Sequence, residues 1–203
     1  MSFLRTFKKA IQAFEACHQC TYCLIGGHAA SLYRAQERLT KNIDFAIVSR
    51  PVSEGQKYAR QIIKHMGYKP VLGFVVPHDA APNGKRVCMV TTAPLPGELK
   101  GIIDILLPEL AWVKNAVARA QHNKIDFGFS HVPVITPEDL IVAKCFALRD
   151  APDRFQDLDD IKEIFGNEND LDLDYLREQM RSHSLTIPEV LKKYVPLGLF
   201  SET

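Results

Sequence analysis

The sequence predicts an α/β protein of the α+β type, in which helices flank a mixed β-sheet and a helical segment follows it. Short apolar runs alternate with helical patterns over the first two thirds of the chain, whereas the residues after about 136 carry helical patterns alone. A length of 203 residues is enough for one large hydrophobic core with a small helical addition. We therefore predict an α/β core over residues 1-135 and a helical segment, packed on that core, over residues 136-203.

The elements of the core are predicted from two periodicities, apolar runs for strands and a 3.6-residue spacing for helices. The first element is an amphipathic helix over about residues 2–18, in which Phe3, Phe7, Ile11 and Phe14 fall at helical spacing. The further predicted strands are at about 21–26, 43–48, 71–76, 86–92 and 102–107, and the further helices are at about 27–34, 53–66 and 109–120. Short strands or extended connectors are expected at KIDFGF and VPVI.

The C-terminal segment begins with a helix-start pattern. Thr136 is a capping residue, Pro137 stands at the first helical position, and Glu138 and Asp139 place acids in the first turn. Further helices are predicted at about 153–165, 172–182 and 187–194. We therefore expect this segment to be helical throughout.

The composition is that of an ordinary globular protein, with 46% hydrophobic and 24% charged residues. A formal net charge of +1 gives no overall field that would attract nucleic acid or an acidic membrane, although a local basic patch stays open. No apolar run approaches ~18 residues and the N-terminus lacks a signal-peptide pattern, so we expect no membrane partner. Five cysteines without an export signal favour a reducing compartment, and we expect a cytoplasmic protein.

Cys17, Cys20 and Cys23 form a C-x-x-C-x-x-C run with His18 inside it. One interpretation is a metal or iron–sulfur site. A closed site needs four ligands, and no second cluster supplies the fourth. We therefore favour the other interpretation, in which Cys17 and Cys23 are small buried hydrophobes.

Residues 22–48 carry the most informative pattern, which is an apolar strand, Gly26-Gly27, a helix, a basic turn and a second apolar strand. A Gly-Gly step before a helix lets backbone N–H groups approach a phosphate closely, although such a dipeptide can also be only a tight turn. Asn42 and Asp44 stand two residues apart where the second strand opens, so their side chains share a face. A phosphate cradle beside a set of metal ligands is what nucleotidyl transfer needs.

Asp104 is a charged residue inside the apolar run IIDILL, where burial is costly unless the carboxylate is paired or binds a metal. One interpretation is Mg²⁺ coordination together with Asp44. The other is a strand-end aspartate that forms a salt bridge with a lysine or is exposed at the rim of the sheet. Because Asp44 and Gly26-Gly27 stand upstream, we favour the metal site.

The order of these motifs resembles the nucleotidyltransferase superfamily and, within it, the AbiEii toxin-like branch. That branch has a G-G-x-A step, an R-x-T-K-D-I-D-F segment, an acidic residue on a later strand, and P-E-D-L-I-x-x-K followed by R-x-x-D-x-x-D. The resemblance spans about residues 20–165, and Asn42 departs from it because the branch has an aspartate there. The matching residues are Gly26, Gly27, Ala29, Arg38, Thr40, Lys41, Ile43, Asp44, Phe45, Asp104, Pro137, Glu138, Asp139, Leu140, Ile141, Lys144, Arg154, Asp157 and Asp160.

The resemblance implies a nucleotidyltransferase-like fold and a Mg²⁺- or Mn²⁺-dependent transfer of a nucleoside monophosphate from an NTP to an acceptor. It implies metal coordination by Asp44 and Asp104, with Asn42 as a weakened third ligand. The same resemblance implies that the nucleotide-binding residues are Gly26, Gly27, Arg38, Thr40 and Lys41. A solvated basic turn is an equally open interpretation of the last three.

Lys144 lies in the apolar stretch LIVAKCFAL, where an interior-facing charge is expensive. The resemblance implies that Lys144 is a third catalytic residue, which contacts the nucleotide phosphates or helps the acceptor. Asp157 and Asp160 lie three residues apart on one predicted helix face. Asp157 is expected to support the site by orienting Arg154 or Lys144, with a plain surface acid as the alternative, and a structural role is favoured for Asp160.

Three function hypotheses follow. In the first, the protein is a nucleotidyltransferase, weakened by Asn42, that acts on a small molecule, a tRNA or a protein. In the second, it is a catalytically inactive nucleotidyltransferase-like protein that binds a nucleotide or a protein partner. The resemblance also raises a toxin–antitoxin pairing with a cognate antitoxin-type protein. A purely structural module is a third, weaker hypothesis.

Overall fold

The computed structural model describes residues 3–36, 40–77, 85–96 and 102–199, and these divide into two compact units. The first unit holds the residues up to Gly26 together with those from Thr40 to Ile135. The second unit holds the segment that begins at Gly27 and the residues from Thr136 onward. The segment after Gly27 thus belongs to the second unit, which the sequence did not indicate.

The first unit is built on a five-stranded mixed sheet in the order β1-β2-β7-β6-β3. The central pair β2 and β7 is parallel, and the other pairs are antiparallel. Two further antiparallel pairs, β4 with β5 and β8 with β9, stand outside this sheet. The strands are β1 (Cys20–Ile25), β2 (Ile43–Ser49), β3 (Pro70–Leu72), β4 (Val75–Pro77), β5 (Lys85–Val87), β6 (Met89–Thr92), β7 (Ile103–Leu106), β8 (Lys124–Asp126) and β9 (His131–Pro133).

Two predicted strands, 71–76 and 86–92, are each divided in the structure, so these predictions are wrong as single strands. The chain breaks at Gly73, where a Cβ atom would lie 2.4 Å from Met89 Cε. It breaks again at Cys88, and the N–H groups of Cys88 and Met89 both donate to the carbonyl oxygen of Phe74. This double contact gives two residues of one strand a single partner on the other, which is the arrangement of a β-bulge.

Helices cover the sheet of the first unit, as predicted. They are α1 (Phe3–Glu15), α3 (Gly55–His65) and α4 (Val113–Ala120). The short helix α2 (Gly26–Ala30) follows β1 along the chain and, from Gly27 onward, belongs to the second unit. Phe7 and Phe14 of α1 pack their rings against Phe45 of β2, with ring centroids 6.2 and 4.5 Å away, respectively. All three rings are fully buried, so this aromatic cluster fastens α1 to the sheet.

Helix α2 is shorter than the predicted helix, which was expected to continue to about Arg34. The Ser31 hydroxyl and the Ser31 N–H both donate to the carbonyl oxygen of Gly27, at 3.0 and 3.1 Å. Leu32 and Tyr33 then donate to residues three positions back rather than four. This tighter hydrogen bonding ends the α-helix at Ala30.

The second unit is helical, with α5 (Pro137–Asp150), α6 (Phe155–Asn167) and α7 (Leu173–Ser182). Thr136 caps α5 as predicted, and its side chain accepts a hydrogen bond from Asp139 N at 3.3 Å. The helix predicted at 187–194 is a 3-10 helix over Glu189–Tyr194, and another follows at Leu197–Leu199. In the part of the chain that the structure describes, no helix is both long and apolar enough to cross a membrane.

Candidate functional site

The register of the parallel pair β2–β7 places Asp44 directly beside Asp104. On the outer sides of this pair, Ile25 of β1 lies opposite Asp44 and Thr91 of β6 lies opposite Asp104. Both carboxylates are partly exposed and lie where the two parallel strands begin. The register therefore places the two aspartates side by side on neighbouring strands.

The side-chain amide of Asn42 bridges the two carboxylates. Its Nδ2 donates to Asp44 Oδ1 at 3.0 Å and to Asp104 Oδ2 at 2.7 Å. Thr91 Oγ1 donates to the other oxygen of Asp104, at 2.5 Å. Asn42 therefore supplies hydrogen-bond donors at the point toward which one oxygen from each aspartate converges.

Gly26 lies against the carboxylate of Asp44. Its φ of 68° is in the left-handed region, and a Cβ atom placed on it would lie 2.1 Å from Asp44 Oδ2. A side chain at this position would therefore force either the backbone or Asp44 to move. The Gly-Gly step is more than a tight turn, because its first glycine makes room for a candidate metal ligand.

The predicted nucleotide-binding residues near Asn42 are only partly within the described part of the chain. Thr40 Oγ1 donates to the carbonyl oxygen of Asn42 at 3.4 Å, and the Lys41 side chain is exposed. Arg38 lies outside the described residues. The nucleotide-binding roles of these residues and of Gly26 and Gly27 stay predictions.

Within the second unit, Lys144 lies in a buried network of charges. Its ammonium is 2.8 Å from Asp157 Oδ1 and 2.5 Å from Asp160 Oδ2, and its side chain is only 5% exposed. Arg34, from the segment after α2, contacts Asp160 through Nη1 and lies 2.7 Å from Asp159 through Nη2. The predicted link of Asp157 to Lys144 is therefore present, and both aspartates use the ammonium of Lys144. Contact of this ammonium with a nucleotide phosphate stays a prediction.

The charges of this network determine how Asp157 titrates. Burial raises the pKa of Asp157, but Lys144 and then Arg154 more than offset that effect, so the pKa is lower than usual. Burial likewise acts to lower the pKa of Arg34, and its hydrogen bonds to Asp159 and Asp160 raise it above the ordinary value. The network thus holds Asp157 ionised and Arg34 protonated.

The architecture of this chain is similar to that of solved structures. The solution structure of the antibiotic-resistance factor ANT(2'')-Ia matches with a TM-score of 0.54 at 14% identity, over 89% of this chain and 92% of that chain. The chain described here has a nucleotidyltransferase-like fold. A nucleotidyltransferase-like antigenic protein from Paracoccidioides brasiliensis matches over 88% of this chain and 86% of that chain, at 13% identity and a TM-score of 0.49. No protein-family model and no curated protein matches the chain.

Asp44 on β2 and Asp104 on β7 could together hold a single divalent cation. Mg²⁺ in phosphate-transfer sites is commonly held by one or two carboxylates, with phosphate oxygens completing its octahedron. Asp44 and Asp104 supply two carboxylates, and Asn42 offers an amide oxygen once its side chain is turned over. Among the described residues, no group of three or more His, Cys, Asp or Glu side chains is placed to hold a metal ion. The site thus offers two carboxylates and is short of the third that the resemblance implies.

Two residues of these clusters were not predicted from the sequence. The sequence predicts only that Thr91 lies in a strand. Because Thr91 pairs with Asp104 across neighbouring strands, knowledge of the strand order would have indicated the hydrogen bond between their side chains. The sequence predicts Arg34 only as the end of a helix, whereas Arg34 neutralises Asp160, 126 residues further along the chain. Nothing in the local sequence around Arg34 indicates that pairing.

Proposed function

We propose that this protein binds an NTP with a divalent cation and transfers its nucleoside monophosphate to an acceptor, at a low intrinsic rate. The observation that carries this proposal is the pair Asp44 and Asp104, in register on parallel strands and bridged by one amide. The nucleotidyltransferase-like fold supports it. The aspartate pair alone would also suit simple cation binding. The proposal therefore rests on the aspartate pair and the fold together.

The proposed roles divide between cation and nucleotide. Asp44 and Asp104 would hold the cation, Mg²⁺ or Mn²⁺. When bound, the cation offsets negative charge on the triphosphate. The proposed triphosphate-binding residues are Gly26 and Gly27 through their backbone, with Arg38, Thr40 and Lys41 as further contacts.

The low rate follows from Asn42. An aspartate there would bring the side-chain charge around the cation to three negative units, whereas Asn42 leaves two. In a site partly shielded from water, the loss of one charge beside a divalent ion weakens its binding substantially. Asn42 also has to turn its amide over, because its Nδ2 now donates to both carboxylates.

A second candidate function has its own support. The Asn42 amide satisfies one oxygen of each aspartate without any metal, and Thr91 satisfies a third oxygen. A site whose acids are already hydrogen-bonded can persist as a binding surface after catalysis is lost. The alternative is therefore a catalytically inactive nucleotidyltransferase-like protein that binds a nucleotide or a protein.

The deciding experiment compares the wild-type protein with Asn42→Asp and Asp104→Asn. NTP binding is measured by calorimetry with and without Mg²⁺, and turnover is measured as pyrophosphate release. We expect weak Mg²⁺-dependent binding and slow release by the wild type, faster release by Asn42→Asp, and none by Asp104→Asn. If the wild type and Asn42→Asp both bind nucleotide and neither releases pyrophosphate, the binding-only function is correct. If neither binds nucleotide, the transferase proposal fails, and protein binding is the part of the alternative that stands.

The finer assignments also stay proposals. We propose that the chain is an AbiEii-like member of the superfamily that acts in the cytoplasm on a small-molecule, tRNA or protein acceptor, and that a cognate antitoxin-type protein opposes it. The test is pyrophosphate release in the presence of each class of acceptor. An acceptor that raises release by the wild type and leaves Asp104→Asn silent would identify the substrate class.

A further inference from the structure

The connection between α1 and β1 brings two cysteines together. Helix α1 ends at Glu15 and β1 begins at Cys20, and the N–H of Cys20 donates to the carbonyl oxygen of Cys17 at 3.0 Å. This i to i+3 hydrogen bond closes a turn, and such turns hold the two Cα atoms within about 7 Å. Disulfide bonds need a Cα separation of about 4.4–6.8 Å. The backbone of this turn therefore already has a span that a disulfide can bridge.

The side chains of this pair are also accessible. Cys17 and Cys20 are both partly exposed, and His18 and Gln19 between them are exposed, so a small oxidant can reach the pair. Cys23 is buried in β1, which leaves Cys17 and Cys20 as the accessible members of the C-x-x-C-x-x-C run.

The surroundings of the pair are not those of a catalytic dithiol. Reactive cysteines of oxidoreductases lie at helix N-termini or beside cations, where the thiolate is stabilised. Cys17 instead follows the C-terminal end of α1, which is the negative end of the helix dipole. Burial raises the pKa of the Cys20 thiol, and the neighbouring Cys17 thiol raises it further. The pair is therefore suited to slow oxidation as a target rather than to rapid turnover as a catalyst.

We propose that Cys17 and Cys20 are a redox modification site that forms an intramolecular disulfide when a hydroperoxide is the oxidant. The Cys17 thiolate attacks the peroxide O–O bond and becomes a sulfenic acid, and water is released when hydrogen peroxide is used. The Cys20 sulfur then attacks the Cys17 sulfur, the S–O bond breaks, and the second water molecule leaves. Two thiols and one peroxide thus give one disulfide and two waters, and a small dithiol reverses the modification.

This site is independent of the proposed nucleotide chemistry. In the β1–β2 ladder Cys20 lies opposite Ser49, whereas Asp44 lies opposite Ile25 at the other end. The disulfide would fix the turn between α1 and β1 without touching the carboxylate pair. Oxidation is therefore expected to leave nucleotide binding unchanged, and loss of either property says nothing against the other.

The test uses the full chain, first reduced and then treated with graded hydrogen peroxide. Free thiols are blocked with one alkylating reagent, disulfides are reduced, and the released thiols are labelled with a second reagent and located by mass spectrometry. We expect the second label on Cys17 and Cys20 in the wild type and in the control Cys23→Ala. Cys17→Ser and Cys20→Ser should lose this label, and Cys20→Ser should instead trap a dimedone-reactive sulfenic acid on Cys17.

Two outcomes would overturn the proposal. The first is a Cys20→Ser protein that still forms as much intramolecular disulfide as the wild type, since Cys23 would then be the partner. The second is a wild type that passes directly to sulfinic acid, with no second label on Cys17 or Cys20. Because the second outcome needs only the wild-type protein, the proposal stays testable even if a variant folds poorly.

Discussion

The two units each contain a pair of aspartates that share one nitrogen, and the nitrogens differ in charge. In the first unit Asp44 and Asp104 share the neutral amide of Asn42. In the second unit Asp157 and Asp160 share the ammonium of Lys144. The similar hydrogen-bond geometry makes charge the difference that matters.

The difference in charge separates a structural cluster from a candidate binding site. Asp160 is fully buried, and Lys144 and Arg34 neutralise its charge within the interior of the second unit. Asp44 and Asp104 are partly exposed, and the amide between them carries no charge to set against theirs. Carboxylates that share a neutral donor still favour a cation, whereas carboxylates that share an ammonium already have one.

Removal of Lys144 is expected to have the largest effect on stability. Lys144→Ala leaves Asp157 and Asp160 in the interior without their shared cation, and breaking a buried pair costs about 3–5 kcal/mol. The free energy of unfolding, measured by urea denaturation, should fall by that amount. The control is Arg154→Ala, because Arg154 is 55% exposed and its pair with Asp157 should contribute less than about 1 kcal/mol.

The same variants examine the nucleotide role predicted for Lys144. If Lys144→Arg keeps the stability of the wild type but binds NTP more weakly, a phosphate contact is supported. If Lys144→Ala costs no more than Arg154→Ala, the ammonium is not structural and the contrast between the two aspartate pairs is lost.

Asn42→Asp converts the neutral bridge into a third carboxylate. It removes two hydrogen bonds to charged groups, of which each contributes about 1.5–3 kcal/mol, and it adds repulsion between like charges. Because Asn42, Asp44 and Asp104 are all partly exposed, water compensates for part of the lost hydrogen bonds and screens part of the repulsion. Without metal we therefore expect the free energy of unfolding to fall by roughly 2 kcal/mol. Added Mg²⁺ should raise the melting temperature of Asn42→Asp well above its metal-free value and that of the wild type only slightly.

The matched control for charge is Asn42→Ala, which removes the bridge without adding a carboxylate. It should lose stability in the absence of metal and gain less from Mg²⁺ than Asn42→Asp does. An equal Mg²⁺ response in all three proteins would show that the carboxylate count at position 42 does not govern cation binding.

The sequence was sufficient for the parts of this molecule that depend on local pattern. The apolar runs located β1, β2 and β7, and Asp104 was identified because a charge inside IIDILL is unusual. The polar alternation of Asn42 and Asp44 placed both on one face, which is why the candidate site could be predicted at all.

The remaining features depend on tertiary contacts. The break at Gly73 arises because Met89 lies against its backbone, and the bridge from Asn42 depends on which strand neighbours β2. The pairing of Arg34 with Asp160 joins residues far apart in sequence. Periodicity carries no information about such partners, so these contacts could be found only from the structure.

Gly26→Ala is expected to have a smaller effect on stability and a specific effect on the site. A left-handed conformation costs a non-glycine residue roughly 1–2 kcal/mol. The control Gly67→Ala has the same kind of φ, 82°, with nothing within 4 Å of the added Cβ, so it measures the backbone cost alone. Beyond that cost, Gly26→Ala has to displace Asp44, and it should also weaken Mg²⁺ binding. Equal losses for both variants, with Mg²⁺ binding intact, would remove Gly26 from the site.

Acid titration is expected to show the smallest difference and distinguishes how the buried pair is held. The folded-state pKa of Asp157 is lowered, so its contribution to stability is complete above the unfolded value of 3.8 and is lost as the pH falls through the folded value. Wild-type stability should therefore decline below about pH 3.8, and Asp157→Asn should flatten that decline. Asp174→Asn is the control, because the side chain of Asp174 is 90% exposed and its pair with Arg177 is screened by solvent. Melting temperatures between pH 2 and 6 provide the measurement. A decline that is as steep in Asp157→Asn as in the wild type would mean that other acids govern acid unfolding and that the shared ammonium does not set the pKa of Asp157.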